Sequence, residues 1–269
     1  MWDIDFIKHP LFLRLQDFLE KHKLVLPNQY PDLEKLNLWL NQLQPNLLNS
    51  NNKLVKFAKQ GTSFVNFEDG YEQSIYLKGD VQTRHNNWHD FFNALIWMRF
   101  PEIKKLVNSL QYQDFFNQNK IGKVKQRTVI QNQLAHFDEC GVIVLSKSKE
   151  LLNLLKNHQW HELFWTKREE VQSYMRFEIF GHALYEKALK PYIGFTGKAL
   201  LIYCDDFNNI DSKAVNHINQ NLINIKDLLS PLPILGVPGW WPENNCENFY
   251  ANTDYFRRGR HVINVVALP

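Results

Sequence analysis

Apolar residues recur every three or four positions along much of the chain, and that period predicts helices joined by short turns. Phe12, Leu15, Phe18 and Leu19 mark a short helix within residues 1–22, and a second runs from about Asp32 to Leu43. Lys53 to Phe57 reads as a strand, and Phe64 to Leu77 as a hairpin around Asp69-Gly70. Helices follow over Trp88–Phe100, Glu102–Asn117 and Lys125–Phe137, the first interrupted by Pro101. GVIVLS (Gly141 to Ser146) and ALLIYC (Ala199 to Cys204) are continuous apolar runs of buried-strand length. Helical spacing fills the rest: Lys149–Asn157, His161–Tyr174, Phe177–Leu189 and Asp211–Leu229. From Pro231 to Arg260, Pro, Gly, Trp and Asn crowd together without a period, which predicts a long ordered loop held by its rings. The expectation is an α+β fold, predominantly helical, with a small sheet or hairpins. No repeat or compositional break divides residues 1–269, so one domain is expected.

Composition supports a folded core, because 44% of residues are hydrophobic and 14% aromatic. The formal net charge of +3 is too small to announce a nucleic-acid binder. Early acids and Lys8, His9 and Pro10 break the N-terminal apolar run, unlike a secretory signal. No run of apolar residues reaches membrane-spanning length. Cys140, Cys204 and Cys246 are odd in number and scattered, which suits the cytoplasm.

The densest candidate chemistry lies in RHNNWHDFFN, Arg84 to Asn93. On a helix at 100° per residue, Trp88, Phe91, Phe92, Leu95 and Ile96 share one arc. His89, Asp90, Asn93 and Trp97 fall on the opposite one. Such a face near a helix N-terminus suits an anion, a metal or a His–Asp pair for proton transfer. The competing reading is a simple cap, with Asn86 or Asn87 at the helix start and Asp90 as a first-turn acid. Glu178, His182 and Glu186 follow at i, i+4 and i+8, the stripe on which His and Glu chelate one ion. A salt-bridged surface face, Glu186 with Lys190, is the alternative. Gly181 inside that stretch implies the close approach of another backbone. Asp138 and Glu139 sit at a helix-to-strand junction, where catalytic carboxylates and ordinary turns both occur. Trp240, Trp241 and Arg257 offer rings and charge for stacking or phosphate contact, or serve to wedge a loop onto the core.

Taken in order, several blocks carry a resemblance. They are Thr83-Arg84 with His89 to Trp97 and Phe100-Pro101, then Phe137-Asp138-Glu139 with Gly141. Phe180 to Leu184 with Glu186 and Gly236 to Pro242 complete the set. With them the chain resembles a widespread proteobacterial family defined as a domain of unknown function. The family implies no activity. His136 departs from it, where the family has a small hydroxyl residue.

These residues lead to a hydrolase acting on a small anionic or phosphate-bearing substrate, with a divalent metal as the cofactor such donors would take. His89, Asp90, Asn93, Asp138 and Glu139 are the catalytic candidates, and His182 with Glu186 the metal ligands. Arg84, His85, Trp97, Trp240, Trp241 and Arg257 are the substrate contacts. The rival is a non-catalytic module binding RNA or protein through the Trp/Arg-rich C-terminal segment. A third reading makes the blocks architectural.

Overall fold

The computed structural model describes residues 2–61, 70–120 and 127–259. Its elements run α1 (Leu13–Lys21), α2 (Leu33–Leu43), β1 (Lys56–Lys59), α3 (Tyr71–Lys78), β2 (Asp80–Thr83), α4 (Trp88–Arg99) and α5 (Pro101–Lys120). Then come α6 (Val129–Cys140), β3 (Gly141–Ser146), α7 (Lys149–Lys156), α8 (Arg168–Tyr174), β4 (Met175–Ile179) and α9 (His182–Ala188). The last are β5 (Thr196–Tyr203), α10 (Ile210–Gln220) and β6 (Leu229–Pro233). Helix predominates, and the fold is α+β.

One sheet has the order β4-β3-β5-β6. β3 is antiparallel to β4 and parallel to β5, and β6 closes the edge antiparallel to β5. Every residue of β3 is buried, as an apolar run covered on both faces requires. A smaller parallel pair joins β1 to β2.

Four expectations are corrected. Residues 71–77 form helix α3 rather than half of a hairpin, and positions 64–69 lie outside the described residues. The expected helix over Phe177–Leu189 is strand β4 followed by helix α9, with Gly181 capping the helix instead of interrupting it. The long helix expected to Leu229 stops at Gln220, and a 3-10 turn leads on to β6. The aperiodic C-terminal segment therefore begins with a regular strand before its 3-10 turns.

Helix α4 is central. Asp90 to Met98 are all buried, so both of its faces are covered. Its aromatic side meets Trp2, Phe6 and Phe12, with Trp2 stacked on Trp88 at 4.6 Å and Phe92 on Tyr185 at 5.5 Å. That packing lays α9 beside α4 and brings two distant histidines to one end of the pair.

Candidate functional site: a histidine–carboxylate cleft

The turn from β2 into α4 is fixed by its own polar groups. Asn87 caps the helix, its side chain accepting the Asp90 N–H at 3.0 Å. Asp90 in turn accepts three bonds from Arg84, one from the backbone and two from the guanidinium, at 2.6 to 2.9 Å. The carboxylate thus orients Arg84 and the turn, with both of its oxygens engaged by Arg84. The turn presents His89 at the cleft with a quarter of its side chain exposed.

The second histidine is delivered by backbone contact. The carbonyl of Gly141 accepts from the N–H groups of both Phe180 and Gly181, at 3.0 and 2.9 Å. Phe137 stacks on Phe180 at 4.6 Å, so the end of α6 and the start of α9 are clamped together. A Cβ on Gly181 would lie 2.5 Å from the Glu139 carbonyl oxygen and 2.6 Å from the Cys140 Cα. Only glycine permits that approach. The close backbone implied by Gly181 is therefore real, and it sets Glu139 against His182.

His89 Nε2 and His182 Nε2 face each other at 3.0 Å, with Glu139 Oε2 at 3.6 Å from His182 Nε2. One donor atom from each of the three lies within 4.8 Å of the others. Ligands about 2.1 Å from a tetrahedral ion are about 3.4 Å apart, so the spacing matches one coordination shell. The far nitrogen of His89, Nδ1, meets Glu186 Oε2 at 3.1 Å. If Nδ1 donates there, Nε2 of His89 is bare and His182 must supply the proton between the rings. His182 Nδ1 is then bare too, consistent with its lack of a hydrogen bond of normal geometry; Asp138 Oδ2 lies 3.8 Å away. Burial pushes the His182 imidazole down to about 3, against the pull of Asp138, so the ring is neutral and keeps one lone pair, on the nitrogen that does not hold the proton.

Behind the histidines lies a buried polar chain. Lys104 Nζ donates to Asp138 Oδ1 at 2.6 Å and to Asn93 Oδ1 at 2.9 Å. Asn93 then donates to the Tyr71 hydroxyl at 2.6 Å. Burial alone would raise the Asp138 carboxyl, but the Lys104 ammonium holds it below its usual range. Burial, then the Asp138 charge, pushes Glu139 up. Glu72 is pushed up to about 7 by burial and by Asp138, although Asn108 and Gln111 both donate to it. Tyr71, Glu72, Asn93, Asp138 and Glu139 line a cleft of about 630 Å³, with Arg127 and His136 among its other walls.

Of the expected site residues, His89, Asp90, Asn93, Asp138, Glu139, His182 and Arg84 line this one cleft. Glu186 reaches it from behind, on the outer nitrogen of His89. The others lie elsewhere. Trp97 is fully buried under the Lys104 ammonium, so it cannot reach a substrate. His85 lines a neighbouring apolar groove with Leu33 and Leu36. Trp240 packs edge-on to Phe177 and lines a separate groove, Trp241 donates to Glu243, and Arg257 Nε bonds the Asp254 carbonyl. Arg260, at the end of that basic run, lies outside the described residues. Glu178 sits on β4, away from His182 in a different set of contacts.

Tyr71, Glu72 and Lys104 were not foreseen. Lys104, Asn108 and Gln111 do carry a signal: at i, i+4 and i+7 they form a polar stripe on the buried side of α5.

No curated protein and no solved structure matches the chain. The family model for proteins of unknown function DUF3025 matches residues 55–260, which hold every residue of this cleft, and the chain belongs to that family.

Proposed function

We propose that the protein is a metal-assisted hydrolase whose centre is held by His89, His182 and Glu139. The observation that carries this reading is the convergence of three donor atoms within 4.8 Å of one another at the wall of an open cleft. Two imidazoles and a carboxylate suit a divalent transition ion, zinc foremost, and leave a position open. A bound ion of that kind supplies a water acidic enough to ionise near neutral pH. Glu186 orients His89 through Nδ1, the usual support for a ligating imidazole. Asp138, anchored by Lys104, lies 3.8 Å from Nδ1 of His182, near enough to take up its proton contact when Nε2 is the ligating atom. The exposed Arg127 and His136 face the cleft as contacts for a small anionic or phosphate-bearing substrate.

Among the described residues no helix is long and apolar enough to cross a membrane, and Cys140, Cys204 and Cys246 are unpaired. Those thiols fit a reducing compartment, and we assign the enzyme to the cytoplasm. The rival reading, an RNA- or protein-binding surface at the C-terminal tryptophans, draws no comparable support, because Trp240 is packed on Phe177 and Trp241 is engaged by Glu243.

Calorimetric titration of chelator-treated protein with Zn²⁺ and Mn²⁺ tests the centre. One ion per chain is expected, lost in His182→Ala and Glu139→Gln. Binding that survives both substitutions, or none at all in the wild type, rejects it. Hydrolysis of aryl phosphates and aryl esters by the loaded protein, absent in Glu139→Gln, then tests the chemistry.

A further inference from the structure

Glu178, which the cleft does not use, is the most completely buried carboxylate of the protein's second polar cluster. Its side chain has no exposed surface, and three arginines from three elements converge on it. Arg176 on β4 donates from Nε at 2.5 Å, Arg99 at the end of α4 donates from Nη2, and Arg14 on α1 lies 3.9 Å away. One carboxylate is satisfied by a single two-pronged guanidinium. Three cations gathered around one carboxylate leave positive charge that it does not neutralise.

The surroundings do not fully balance them. Arg14, Arg99, Arg176 and Lys21 border a cleft of about 480 Å³, with Asp17, Asp211 and the buried Glu178 as the nearby acids. Asp17 takes one edge of Arg14 at 3.4 Å. Asp211 is turned the other way, capping α5 by accepting from the Glu102 and Ile103 N–H groups. A surplus of positive charge therefore faces an open cleft of ligand size.

We propose that this cleft binds the phosphate group of a small phosphorylated molecule. Guanidinium forks at different angles suit a tetrahedral dianion better than a flat, singly charged carboxylate. Phe18 and Phe207 in the wall give the organic part an apolar surface. The site shares no lining residue with the histidine cleft, so it stands whether or not a metal binds there.

Calorimetric titration with inorganic phosphate, ribose 5-phosphate and adenosine 5′-monophosphate, in chelator-treated protein at low ionic strength, tests it. Saturable binding of a phosphomonoester is expected, weakened about ten-fold or more in Arg176→Ala. Arg14→Gln and Lys21→Ala change only partly exposed side chains and are expected to weaken it as well, which covers the case of Arg176→Ala failing to fold. Glu139→Gln is expected to bind as the wild type does. No saturable binding beyond that of matched chloride overturns the proposal, as does binding of inorganic phosphate alone. Binding unaffected by Arg14→Gln and Lys21→Ala, or lost in Glu139→Gln, overturns it too.

Discussion

Replacing Glu72 by glutamine should make the protein more stable in alkaline buffer and change little in acid. Glu72 lines the inner wall of the histidine cleft, where burial first and the Asp138 charge second push its carboxyl from 4.5 up to about 7. The folded protein therefore holds a proton there that the unfolded chain has released, throughout the window from about 4.5 to 7. Stability linked to this group is full below that window and is lost as pH rises through 7. A difference of about 2.5 units corresponds to about 3 kcal/mol, an upper bound once partial hydration of the cleft is allowed for. Glutamine keeps the shape and has no charge to bury, and the Gln111 amide can turn to present its oxygen. Urea unfolding of wild type and Glu72→Gln, with chelator present, should be compared from pH 5 to pH 8. The difference between the two proteins should grow in favour of the variant by up to about 3 kcal/mol across that range. Because every other titrating group is shared, the difference isolates Glu72. In an Asp138→Asn background the growth should shrink, since the second cause of the shift is gone. A difference that stays flat with pH refutes the reasoning.

Three further outcomes follow from the packing around the cleft. Lys104→Met strands the buried Asp138 charge and should cost about 3–5 kcal/mol in chemical denaturation, with much of the loss recovered in the Lys104→Met/Asp138→Asn pair. Gly181→Ala drives a methyl group into the Glu139 carbonyl and the Cys140 Cα; it should cost about 1–3 kcal/mol and weaken zinc binding as Glu139 and His182 separate, both measurable by calorimetry. Asn87→Ala removes the cap that holds the start of α4 and should cost about 1 kcal/mol in thermal unfolding.

What the sequence made legible follows physical lines. β3 could be read because a strand covered on both faces must be apolar throughout, and GVIVLS is. β4 could not, because Phe177, Phe180 and Leu184 keep helical spacing across a strand-to-helix junction, and Glu178 breaks the strand's apolar run. Its place inside was settled by Arg99 and Arg176, partners remote or local whose direction no period encodes. β6 was masked by Pro231 and Pro233, residues that a sheet tolerates at an edge, where β6 lies. At the site, residues from the three blocks line one cleft, a convergence that no spacing in the sequence encodes. The wall behind them was missed, since Tyr71 and Glu72 fell where a hairpin was expected and Lys104 is drawn inside only by Asp138 and Asn93, partners remote in sequence.

The division of labour among the carboxylates bears on the architectural reading of these blocks. Asp90 is matched by Arg84 and Asp138 by Lys104, each pair holding a turn or a helix in place. For those two acids the architectural reading is sufficient. Glu139 and Glu186 differ: each addresses an imidazole, and each keeps more than two-fifths of its side chain exposed. The two ring nitrogens stand face to face at 3.0 Å, with the Glu139 carboxyl, raised by burial, beside them. A single proton between the rings would satisfy that contact, whereas the proposed divalent cation would engage the two nitrogens and Glu139 together. The proposed metal centre thus rests on His89, His182 and Glu139, the part of the cluster that no lysine or arginine pairing accounts for.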